Sequence, residues 1–143
     1  MISFIYTILG TLLAPFLRLY LYYRKANGKE DPDRLSERWG IPSVIRPSGN
    51  LFWFHAASVG ESMSLLPLLK KCQRLFPSYQ ILMTSGTVTS ARFLQKLLPP
   101  GVIHQFVPLD VPGWVNQFLV YWQPNLAIFV ESELWPGFLQ VCQ

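Results

Sequence analysis

The residue best placed to do chemistry in this chain is Glu61. An apolar, strand-like run from Leu51 to Phe54 gives way to His55-Ala56-Ala57-Ser58-Val59-Gly60, and Glu61 then opens a helical pattern. Ser58 and Gly60 let the backbone turn tightly, with little bulk over the carboxyl end of the strand. In an α/β sheet, ligands bind at that end. Two roles fit a glutamate in this position. It can complement the positive end of a helix dipole, or it can take a proton from a substrate hydroxyl as a general base. The segment alone leaves both open.

A second pair of carboxylates lies in Glu131-Ser132-Glu133-Leu134-Trp135-Pro136, directly after the apolar run Leu126-Ala127-Ile128-Phe129-Val130. A carboxylate at the end of a buried strand is costly to desolvate unless it is paired, so Glu131 suits a site better than a solvated surface. Glu61 and Glu131 are expected to converge on one crevice, one accepting a proton and the other orienting or accepting hydrogen bonds. Thr84-Ser85-Gly86-Thr87 stands at another strand-to-helix turn, where hydroxyls and free N–H groups can hold an anion such as phosphate or cap the helix. Asp110, with Pro112 following, is read as a helix start. His55 reads as a satisfied histidine at the sheet edge, and His104, at a strand start on the opposite edge, is given no chemistry. Cys72 and Cys142 are far apart and read as buried free thiols. The sequence has no zinc-ligand spacing and no RNA-binding signature.

The elements that must position these residues follow from periodicity. Strands are expected at 51–55, 80–84, 104–108 and 125–131, with helices at 61–75, 88–98 and 112–122. In the first helix Leu65, Leu68, Leu69 and Cys72 recur at helical spacing. The continuously apolar last strand fits a parallel strand covered on both faces. The alternation implies an α/β fold with a Rossmann-like parallel sheet. The sheet looks unfinished, as though the chain were truncated or its second half missing.

Only 14% of the residues are charged, where about a quarter is usual, and the apolar excess sits at the amino terminus. Ile2 to Leu17 carries no charge, and the apolar character resumes after Arg18 as far as Tyr23. That is about 22 residues, enough to span a bilayer. Residues 1–23 are expected to form a transmembrane anchor helix, the alternative being a buried or interfacial helix. Arg18, Arg24, Lys25 and Lys29 all lie on its carboxyl-terminal side, which places the rest in the cytoplasm. A cleaved signal peptide fits poorly, because the basic n-region and a small-residue cleavage site are missing. Residues 24–50 are a basic connector with one short helix through Arg34, Leu35, Glu37 and Arg38, capped by Asp31 or Asp33 and closed by Gly40. Residues 51–143 are the Rossmann-like domain. The net charge of +4, gathered beside the apolar segment, suits anionic lipid headgroups and not nucleic acid.

Five motifs in order carry a resemblance. Gly28-Lys29-Glu30-Asp31 with Arg34, Glu37-Arg38 and Gly40, then His55 to Glu61, Thr84-Ser85-Gly86-Thr87, Pro108-Leu109-Asp110 and Glu131 to Pro136 resemble the 3-deoxy-D-manno-octulosonic acid (Kdo) transferases of lipid A assembly. The resemblance implies the amino-terminal, acceptor-side half of a GT-B glycosyltransferase of the bacterial inner membrane, held there by a single-pass anchor with its domain on the cytoplasmic side. It implies transfer of Kdo from CMP-Kdo to a lipid A precursor (lipid IVA) with inversion, without a cofactor or bound metal. Glu61 would be the general base and Glu131 a second essential carboxylate. Ser58, Gly60, Thr84, Ser85, Gly86, Thr87, Arg34 and Arg38 would form the acceptor surface. The donor-binding half has no counterpart in the sequence. The chain alone would then be either the catalytic half of such an enzyme or a membrane-anchored module that binds acceptor without turnover. A small tethered α/β protein binding a phosphorylated ligand is a more distant reading.

Overall fold

The computed structural model describes residues 2–130 together with 135, 136 and 138. Helix α1 (Ile2–Ala26) is followed by a 3₁₀ turn at Leu35–Trp39. Then come β1 (Leu51–Ala56), α2 (Val59–Leu75), β2 (Gln80–Ser85), α3 (Val88–Leu97), β3 (Val102–Phe106), α4 (Pro112–Trp122) and β4 (Leu126–Val130). The strands form one four-stranded parallel sheet in the order β3-β2-β1-β4, which is the α/β, Rossmann-like architecture expected.

Alternation along the strands divides the core in two. Phe54, Ala56, Ile81 and Met83 pack under Leu65 and Leu69 of α2 and Leu94 of α3. On the other face, Leu51, Trp53 and Leu82 pack under Val115, Phe118 and Trp122 of α4. From β1 the chain moves outward to β2 and β3, then crosses back to place β4 on the far side of β1. The strand order therefore reverses between β1 and β4, and their carboxyl ends flank the crevice where such sheets bind ligands.

Several element boundaries differ from expectation. β3 begins at Val102 and stops at Phe106, because Pro108 offers no N–H to a ladder. His104 is consequently in mid-strand. α4 begins at Pro112 as expected, but Val111 takes the cap position, not Asp110. The connector's helix is a single 3₁₀ turn that neither Asp31 nor Asp33 caps. Arg34 precedes it, while Asp31 Oδ1 accepts from Asp33 N at 3.0 Å. Gly40 closes it in the left-handed conformation, φ 77°. A Cβ there would stand 2.1 Å from Trp114 O, so only glycine lets the connector pass this close to α4.

The expected transmembrane anchor is not what the structure supports. The run forms one helix, but that helix packs on α4, with Leu21 buried and Arg18 stacked over Trp39 and Trp114 at 5.4 and 5.8 Å. Among the described residues no helix is long and apolar enough to cross a membrane. Cys72 is only half-buried. Cys142, Glu131, Ser132 and Glu133 lie outside the described residues.

Candidate active site

Glu61 sits at the carboxyl edge of β1, in the first turn of α2. Ser58 is the cap residue, and its Oγ accepts from Glu61 N at 3.3 Å. The Glu61 carboxylate reaches back and accepts from Ala57 N at 2.9 Å and Ser58 N at 3.1 Å. This is a complete capping box, in which two otherwise orphaned donors are satisfied reciprocally. Both return bonds fall on one oxygen, Oε2, and Oε1 carries neither. The cap that complements the helix dipole therefore fixes one carboxylate oxygen and sets the orientation of the other.

The loop after β2 is tied to this one. Thr87 caps α3, accepting from Ser90 N at 3.1 Å. Ser90 Oγ donates to Ala57 O at 3.2 Å. A Cβ on Gly86 would stand 3.5 Å from that same carbonyl. The amino termini of α2 and α3 thus lie side by side at one edge, with Ser58, Gly60 and Thr87 exposed. Backbone N–H groups at such ends favour anions.

Among the other described candidates, Thr84, Ser85, Arg34 and Arg38 are engaged inside the protein. Thr84 and Ser85 are fully buried on opposite faces of β2. Thr84 Oγ1 accepts from Trp53 Nε1 at 2.9 Å and bonds His55 Nδ1 at 2.9 Å. On the other face, Ser85 Oγ lies 2.9 Å from His104 Nε2, and Arg34 Nη2 lies 3.1 Å from His104 Nδ1. Arginine can only donate, so Nδ1 accepts and the ring proton resides on Nε2, which donates to Ser85. Burial pushes His55 down to about 4. Burial, reinforced by the Arg34 and Arg38 charges, pushes His104 down to about 3. Both rings are neutral at pH 7.

Arg34 and Arg38, expected on the acceptor surface, brace the connector against the sheet. Arg34 grips Glu37 with two bonds of 2.9 Å and also donates to His104 O at 2.9 Å. Arg38, only 3% exposed, donates to Glu30 Oε2 at 3.0 Å, Val107 O at 3.2 Å and Gly86 O at 2.6 Å. Glu37 is fully buried and further accepts from Phe106 N at 2.6 Å and from Ser43 Oγ. The sequence reading missed Glu30, Glu37 and His104 as network centres, while His55 is the satisfied histidine it expected. The one available signal was the alternation that puts His55 on the face of Trp53. Among the described residues no cluster of His, Cys, Asp or Glu could hold a metal ion.

The profile of the family described as 3-deoxy-D-manno-octulosonic-acid transferase (kdotransferase) matches residues 33–143. A probable mitochondrial 3-deoxy-D-manno-octulosonic acid transferase of Arabidopsis thaliana is 42% identical over 127 residues, covering 89% of this chain and 28% of the relative. The 3-deoxy-D-manno-octulosonic acid transferase of Rickettsia bellii is 42% identical over 133 residues, 93% of this chain and 32% of the relative. That of Haemophilus influenzae is 32% identical over 139 residues, 95% of this chain and 32% of the relative. The chain spans less than a third of the length of these relatives.

Proposed function

This chain belongs to the Kdo transferase family, and on that premise we propose that it supplies the acceptor side of an inverting glycosyltransferase that moves Kdo from CMP-Kdo to a lipid A precursor, lipid IVA. The observation that carries the proposal is the capping box, which spends one oxygen of Glu61 on Ala57 and Ser58 and leaves Oε1 outside those bonds. The carboxylate stands at the end of β1, beside the strand-order reversal.

In this reading Glu61 takes the proton of the acceptor sugar hydroxyl as its oxygen attacks the anomeric carbon of Kdo. The bond from that carbon to the CMP phosphate breaks and CMP departs with the electron pair. Direct displacement inverts the centre and needs no protein nucleophile. Glu131 serves as the second carboxylate of the crevice. The register Ala56↔Val130 supports that role, because β1 and β4 end at the same level. Ser58, Gly60, Thr87 and the helix termini behind them meet the acceptor's phosphate. Thr84, Ser85, Arg34 and Arg38 hold that shelf in shape without touching the ligand.

The test is Glu61→Gln in the full-length enzyme, because glutamine keeps an acceptor for the cap but cannot take a proton. Kdo transfer from CMP-Kdo to lipid IVA should fall about 10²–10⁴-fold, the usual share of general-base catalysis. Acceptor binding and the unfolding midpoint should stay near wild type. Full activity in a folded Glu61→Gln enzyme would reduce Glu61 to a helix cap.

A further inference from the structure

The chain pairs the arginines of its connector and leaves the cations of α2 and α3 unpaired. Arg24, Arg34 and Arg38 each have Glu30 or Glu37 as a partner. Lys70, Lys71, Arg74, Arg92 and Lys96 are exposed, and none of the five forms an ion pair among the described residues. From Ser62 to Leu109 the sequence holds no carboxylate at all. At about 100° per residue, Met63, Pro67, Lys70, Lys71 and Arg74 stand opposite the buried Ser62, Leu65 and Leu69 of α2. The last four of them line a shallow groove of about 420 Å³. Lys70 and Arg74 are four residues apart, as are Arg92 and Lys96 on α3, and like charges at that spacing destabilise a helix. A surface that served solubility alone would mix both signs.

We propose that this face is a docking surface for an acidic, amphipathic helix of a partner protein. Carboxylates at three- and four-residue spacing would meet Lys70, Lys71 and Arg74, and the apolar side would lie along Met63 and Pro67. The exposed apolar residues of α2 favour protein over nucleic acid. Met63, Leu68 and Leu75 are aliphatic, whereas bases stack on rings, and the exposed Phe76 at the end of α2 packs on Phe52 and Tyr79. Position disfavours a lipid surface. The apolar helix α1 docks on α4, where a Cβ on Gly10 would stand 2.7 Å from Pro112 Cδ, and α4 lies across the sheet from α2. Lys70 and Arg74 stand about 14 and 20 Å along the α2 axis from Glu61, so the inference does not depend on the transferase reading.

The experiment presents the full chain to displayed amphipathic helices whose polar face is drawn from Glu, Asp, Lys, Arg and Gln and whose apolar face is drawn from Leu, Met and Ala. Selected helices should carry carboxylates at three- and four-residue spacing, and a synthetic copy should bind less tightly as salt is raised. Lys70→Glu with Arg74→Glu should weaken binding about tenfold, and reversing the peptide's own charges should restore it. Lys70→Gln with Arg74→Gln, which adds no opposing charge, should weaken it about threefold. Circular dichroism and the unfolding midpoint should match wild type in both variants. Single-stranded RNA and phosphatidylglycerol vesicles are the competing probes. Selection of no acidic helix, or binding that charge reversal leaves unchanged, would overturn the proposal. So would RNA or vesicles that bind more tightly than the peptide and lose that binding in the same variants.

Discussion

Two buried-edge carboxylates, Glu37 and Glu61, stand in motifs of similar appearance and are used in opposite ways. Glu37 has both oxygens engaged, by Arg34, Ser43 and the Phe106 amide, and is fully buried. Glu61 is half-buried, with one oxygen given to two amides. Backbone N–H groups are partners of both, so a hydrogen bond count does not separate them. What separates them is remaining capacity. A carboxylate saturated by its own chain holds the fold, and one with an oxygen outside the cap can act on something else.

That contrast can be broken first at Glu37. Glu37→Ala leaves the Phe106 amide unpaired in the interior and takes away the ion partner of Arg34, and it should cost about 3–5 kcal/mol, read as a lowered urea midpoint. If Glu37→Ala unfolds no more readily than Glu61→Gln, the saturated and unsaturated carboxylates are not distinct. The pH dependence sharpens the comparison at the next level. His104, part of the Glu37 network, and His55 both have folded values depressed below 6.5. Below that pH the unfolded chain takes up protons that the folded chain does not. Stability is therefore intact above about pH 6.5 and declines as pH falls towards 4 for His55 and 3 for His104, by about 1.4 kcal/mol per pH unit for each ring. Urea unfolding between pH 7 and 4.5 measures it, and His104→Gln should remove about half of the slope. A slope unchanged by that substitution would place the acid sensitivity elsewhere. The smallest effect belongs to the cap itself. Ser58→Ala should cost about 1 kcal/mol in thermal unfolding, and a loss as large as that of Glu37→Ala would make the Glu61 loop a keystone of the fold as well.

The alternation of elements was legible because strands and helices write different periods into the chain, and Gly40 and Pro112 announced their turns by residue type. Glu61 as a cap was equally legible, since a capping box is local. The connector was not. Arg34 and Arg38 read as part of a basic, lipid-facing connector because sequence records their charges but not their partners, Glu37 and Glu30. Phe106 N and Val107 O, which complete the network, come from the last residue of β3 and the one after it. His104 was set aside for a similar reason: placing the strand start at residue 104, two residues late, put it at the rim when it is enclosed. The anchor reading is left without support from the described residues, and hydropathy, which counts apolar residues around the whole helix, is blind to the glycine that lets one side dock. Glu131 was read from its place after an apolar strand, and the description of β4 stops at Val130.

The carbonyl of Ala57 takes a bond from Ser90 and abuts Gly86, while the amide of the same residue is held by Glu61. One residue thus belongs to two loops that are distant in sequence. Heritable change in either loop is then constrained by the other: a longer turn after β1, or a bulkier residue in place of Gly86, must be matched across the gap before it is tolerated. The two loops behave as a single inherited character, and substitutions in them should combine non-additively.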